Sequence, residues 1–180
     1  MEYYDSGLQF ISNITRCREK INSLKDRINY GHKMIQANKG SDYQKDVIKD
    51  AEEELILFEN EEKVQTEALM TLEGKMDSDF FKLLLENLGS VIARTSSFPH
   101  LEDNLHDENG LADAVIATGE AIRIKKYELD HLEPTADKQR TIVESQLRYF
   151  YNDMNQHAWG QQRLQELTDM PSLEGKARGA

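Results

Sequence analysis

The sequence predicts an all-α protein of two antiparallel helical hairpins, the first a long coiled-coil-like arm, joined by a short apolar helix and an acidic loop. Three observations predict it. Apolar residues recur at helical spacing along four stretches. Charges beside the first two stretches pair in a single register. Charged residues make up 31% and hydrophobic ones 38%, with three prolines, a composition that favours helices over sheet or wholesale disorder.

The first hairpin is expected over residues 1–76. Its first arm runs from about Phe10 and carries Phe10, Ile14, Cys17, Ile21, Leu24, Ile28, Gly31 and Ile35, a seam with a period of about 3.5 residues. The second arm repeats the spacing with Ile48, Ala51, Leu55, Phe58, Glu62, Gln65, Leu69, Leu72 and Met76. Core layers Ile28–Ala51, Leu24–Leu55 and Ile21–Phe58 all pair residues whose numbers total 79. In an antiparallel pair the flanking positions then set Arg18 against Glu59, Lys25 against Glu52, Lys20 against Glu61 and Arg27 against Glu54. That register turns at Lys39-Gly40, where Gly40 suits a helix end and Ser41 or Asp42 can cap the next helix. The same charges also permit pairing between two chains, as in a swapped dimer.

A connecting helix is expected at 77–97. Asp77-Ser78-Asp79 places caps and negative charge where free N–H groups point. The run Phe80 to Ile92 that follows is apolar on more than one face, so it docks across the hairpin base or forms an oligomer contact. Phe80, Phe81, Leu84 and Leu88 are its candidate interaction residues. Residues 98–110 read as a solvated acidic loop. His100, Glu102, Asp103, His106, Asp107 and Glu108 are metal-ligating types, but their order matches no known ligand spacing.

The second hairpin is expected over 111–168. Leu111, Val115, Thr118, Ile122, Leu129 and Leu132 mark its first arm, and Val143, Leu147, Phe150, Met154, Leu164 and Leu167 its second. Glu133-Pro134-Thr135 breaks the helix. Folding back at Pro134 sets Leu129 near Arg140, Ile122 near Leu147 and Leu111 near His157, so the second arm overhangs by about ten residues. Tyr149-Phe150-Tyr151 and His157-Ala158-Trp159 lie beside that overhang. Three consecutive aromatics cannot share one helix face, which makes Tyr149, Tyr151 and Trp159 candidate contact residues. The tail, 169–180, has a disordered composition.

Charge narrows the function. The net charge is −11, and residues 41–76 carry four Lys/Arg against eleven Asp/Glu while residues 1–40 carry seven against four. An acidic chain without a basic patch is a poor nucleic-acid binder, because phosphate contacts need Lys and Arg. Residues 77–110, with two cations against seven anions, suit a basic surface on another protein. The single cysteine, Cys17, sits in a seam and reads as a small buried apolar residue. With no signal peptide and no apolar run of about 20 residues, the expected setting is the cytoplasm or an intracellularly assembled particle, away from membranes.

No catalytic, cofactor-binding or metal residues are assigned. Glu128 and His131 form a Glu-x-x-His pair, but di-iron bundles need that pair twice, and no second copy exists. No Gly-rich phosphate loop or Gly-x-Ser-x-Gly is present. Gly110-Leu111-Ala112-Asp113-Ala114-Val115-Ile116 resembles the third-helix motif of the all-α nucleotide pyrophosphohydrolases. The resemblance implies Mg²⁺ held by Glu-x-x-Glu on one helix and Glu-x-x-Asp on the next. Asp113 matches, but Gly110 stands where the family has Glu, and the nearest upstream Glu-x-x-Glu, Glu59 to Glu62, lies in the first hairpin. The expected function is a non-enzymatic helical interaction or assembly protein, self-associating or docking on a larger complex. The alternative is an acidic inhibitor or regulator occupying a basic site on a partner enzyme, and a remoter one is the metal-dependent pyrophosphohydrolase.

Overall fold

The structure, a computed structural model, describes residues 2–37, 41–96 and 108–169. Those residues form an all-α architecture of five helices: α1 Glu2–Gln36, α2 Asp42–Met70, α3 Ser78–Arg94, α4 Glu108–Asp130 and α5 Asp137–Asp169. The chain divides into two compact units, Met1–Ser96 and Ser97–Ala180. Among the described residues, no helix is long and apolar enough to cross a membrane. The expected turn at Lys39-Gly40, most of the acidic loop and the tail from Met170 lie outside the described residues. Glu108, Asn109 and Gly110, expected at the end of that loop, already belong to α4.

In the first unit α1 and α2 lie antiparallel. Ile11, Ile14, Cys17, Ile21 and Leu24 are buried along α1, with Ile48, Ala51 and Leu69 on α2. Burial, together with Glu61 and Glu62, raises the pKa of the Cys17 thiol, which keeps it protonated. Two glycines fix the register. A Cβ on Gly31 would meet Ile48, and one on Gly7 would meet Leu72, so both contacts join residues whose numbers total 79. α1 starts at Glu2, eight residues ahead of Phe10. Ser41 caps α2 by accepting from the Gln44 N–H. α2 ends at Met70, short of the expected Leu72 and Met76, and Gly74 follows with a left-handed φ of 80°.

The charges pair differently from the expected pattern. Arg18 bonds Glu62 at 2.8 Å instead of Glu59, Lys20 meets Glu54 at 3.6 Å instead of Glu61, and His32 approaches Glu52 at 3.9 Å in place of Lys25. For Arg18 the reason is the third helix. Asp77 caps α3 by accepting from the Asp79 N–H, and α3 then packs on α1. Arg18 turns inward, donating to Thr95 Oγ1 and the Ile92 carbonyl as well as to Glu62, and Asn22 donates to the Thr95 carbonyl at 2.7 Å. Tyr4 meets Phe80 edge-on, and Leu84 packs over Gly7. Partner numbers rise together along this contact, so α3 runs parallel to α1. With 17 residues against 35, α3 covers the base of the hairpin and leaves the turn end as two helices.

In the second unit α4 and α5 form the other hairpin. Ala114, Thr118, Ala121 and Ile122 are buried on α4, and Ile142, Val143, Leu147 and Phe150 on α5. Its register corrects the expectation. His157 meets Thr118, two helical turns along α4 from Leu111, and Met154 lies against Gly119. Residues 131–136 form a loop of consecutive turns rather than a point reversal at Pro134, with Leu132 N bonding Leu129 O and Ala136 N bonding Glu133 O. Because α4 also begins at Glu108, carrying the Thr118–His157 register along the helix sets Glu108 opposite the last turn of α5, which removes the ten-residue overhang.

Candidate interaction surface

α2 contains four consecutive apolar residues, Leu55-Ile56-Leu57-Phe58. At about 100° per residue a helix cannot aim all four at one neighbour. Leu55 and Phe58 turn toward α1 with Ile48 and Ala51 and are half-buried. Ile56 and Leu57 turn the other way and are 58% and 68% exposed. Val64, two turns after Leu57 on the same face, is 55% exposed. Asn60 lies between them and carries no charge.

Carboxylates frame this stripe. Glu53 and Glu67 close its ends, and Asp50 and Glu61 run along the edge beside Leu57, as helical spacing dictates. Glu52, Glu54 and Glu62 are engaged by α1, but Asp50, Glu53, Glu61 and Glu67 form no ion pair among the described residues. Glu61 accepts only from Gln65 on its own helix. Two lysines stand on the opposite edge, Lys49 one turn before Glu53 and Lys63 one turn after Glu59 and one before Glu67.

The residues expected to make contacts divide. Phe81, Leu84 and Leu88 are buried in the first unit, while Phe80 is exposed along one side with Leu83. In the second unit Tyr149 is half-buried, edge-on to Phe150. Tyr151 is exposed under the Lys126 ammonium, 5.5 Å from the ring centroid, and Trp159 is 64% exposed. The outer face of α4 exposes Ile116, Ile124 and Tyr127, but the Glu120–Arg123 ion pair interrupts it. Ile56, Leu57 and Val64 are absent from the sequence-based candidates, although the run of four apolar residues signalled Ile56 and Leu57: the α1 seam accounts for only the other two.

A buried polar cluster also escapes sequence reading. His157, 2% exposed, shares a 3.0 Å hydrogen bond between its Nε2 and Thr118 Oγ1. Among the described residues its Nδ1 has no hydrogen-bond partner, nor does the buried Oε1 of Gln146. Burial lowers the His157 pKa, and Asp153, one turn earlier, opposes the shift. Burial likewise raises the Asp153 carboxyl.

Groups with metal-binding chemistry are engaged locally. Glu128 pairs with Lys125 at 2.9 Å, and His131 Nδ1 lies 2.8 Å from the Tyr127 carbonyl, its ring stacked on that tyrosine. Glu62 holds Arg18, and Asp113 is exposed. Among the described residues no group of three His, Cys, Asp or Glu is placed to hold a metal ion. Neither a family model nor a curated protein nor a solved structure matches this chain.

Proposed function

We propose that this chain is a non-enzymatic helical interaction protein that docks on, or assembles with, a protein partner through the outer face of α2. The observation supporting this reading is the exposed Ile56–Leu57–Val64 stripe on a two-helix arm. Fully burying one such side chain contributes about 1.5–3 kcal/mol, and these three already hold part of that in the free chain. Association costs several kcal/mol in lost freedom, so the stripe needs its polar flanks to hold a partner.

Native mass by light scattering on a gel-filtration column, on the full chain and on Leu57→Ser with Val64→Ser, tests the reading. A multiple of 20.8 kDa that the double substitution returns to 20.8 kDa is the result expected for self-assembly. A wild-type mass of 20.8 kDa excludes self-assembly, and an oligomer whose mass the double substitution leaves unchanged rules out the stripe as its contact. A metal-dependent activity abolished by Asp113→Ala or Glu128→Ala, with circular dichroism unchanged, would overturn the non-enzymatic reading. The second reading, an acidic regulator occupying a basic site, draws support from the carboxylates around the stripe that have no ion pair.

A further inference from the structure

We propose that the outer face of α2 takes a basic amphipathic helix of another protein. This inference rests on the interaction reading above and names the partner's chemistry. Asp50 to Glu67 spans about 25 Å of straight helix surface, the length of five turns. Leu57 and Val64 are seven residues apart, the repeat with which one helix presents apolar side chains to another. The charge pattern selects among helices. Glu53 and Glu67 at the ends, with Asp50 and Glu61 along one edge, form no ion pair among the described residues and match lysine or arginine flanking the partner's apolar stripe. A second copy carries the same excess of carboxylates on this face, Asp50, Glu53, Glu61 and Glu67 against Lys49 and Lys63, which disfavours pairing with itself. An anionic membrane or a nucleic acid is repelled for the same reason.

Two synthetic helical peptides of about 20 residues probe the face of the intact chain, both with leucine in the a and d positions. One carries lysine in the flanking positions and the other glutamate. Fluorescence anisotropy at about 0.1 M salt is expected to show the lysine peptide binding at least tenfold tighter, with several-fold loss at about 0.5 M salt. Leu57→Ser with Val64→Ser is expected to weaken it about tenfold. The whole chain is acidic and attracts any cation, so location decides the matter. Glu53→Lys with Glu67→Lys is expected to remove the preference for the lysine peptide, whereas the same charge change at the exposed Glu133 and Glu144 leaves it. Equal binding of the two peptides, or a preference unmoved by changing Glu53 and Glu67, overturns the inference. If the peptides are ignored while Leu57→Ser with Val64→Ser disperses a self-assembled chain, the basic partner is wrong and the interaction reading survives. If those substitutions move neither mass nor binding, both fall.

Discussion

At Gly7 a methyl group would collide with Leu84, a side chain that is itself fully buried, whereas at Gly119 it would rest 3.6 Å from the end of Met154. The same substitution therefore has opposite signs at two helical positions. Gly7→Ala gains about 1 kcal/mol of helix propensity but overpacks at roughly 1–3 kcal/mol, a net loss of up to about 2. Gly119→Ala is expected to stabilise by about 0.5–1 kcal/mol. Urea midpoints of the two variants, moving in opposite directions, check this. His157 gives the second unit a pH response. Its folded-state pKa lies below the ordinary value of about 6.5, so the unfolded chain binds the proton first as pH falls. Stability is complete above about pH 6.5 and declines below it until the folded-state pKa is reached. Asp153, raised by burial, acts oppositely nearer pH 4, where the folded state gains its proton first. His157→Gln is expected to flatten the decline below about pH 6.5, as read from urea midpoints measured at falling pH. None of this was legible beforehand, because burial of a lone histidine depends on the neighbour that covers it.

Between helices, legibility depended on what fixes the register. In the first hairpin Gly31 opposite Ile48 and Gly7 opposite Leu72 reproduce the expected core alignment, since large and small residues interlock in only one way. The surrounding charges did not pair as expected. Exposed ion pairs are worth only about 0.2–1 kcal/mol and do not resist a better offer, which Glu62, Thr95 and Ile92 make to Arg18. In the second hairpin the apolar spacing repeats every seven residues, so sliding His157 from Leu111 to Thr118 leaves the pattern satisfied. The buried Thr118–His157 hydrogen bond selects among these slips, and a pattern of apolar residues cannot report it. The two-helix end of the first hairpin has its own signature. Amides near Tyr30 and Ile48 are expected to exchange hydrogen faster than those from Ile14 to Ile21, where α3 adds a third layer. Equal protection along α1, measured by mass spectrometry or NMR, would contradict it.

At the scale of the whole molecule, the helical class and the two hairpins were legible because helix periodicity and three prolines leave few alternatives. The division after Ser96 assigns α3 to the first hairpin. Its apolar residues Phe81, Leu84 and Leu88 serve that unit's core, which leaves the outer face of α2 as the stronger candidate for a contact surface. The parallel run of α3 along α1 also bears on how the first unit forms. Only five residues, 37–41, separate α1 from α2 along the chain, so their first contacts close a small loop. Tyr4 and Phe80 meet only after about 75 residues have been drawn round. Closure entropy grows with loop length, so the hairpin zips from its turn and α3 docks last. The end of the arm that forms earliest is then the end held least firmly in the finished protein.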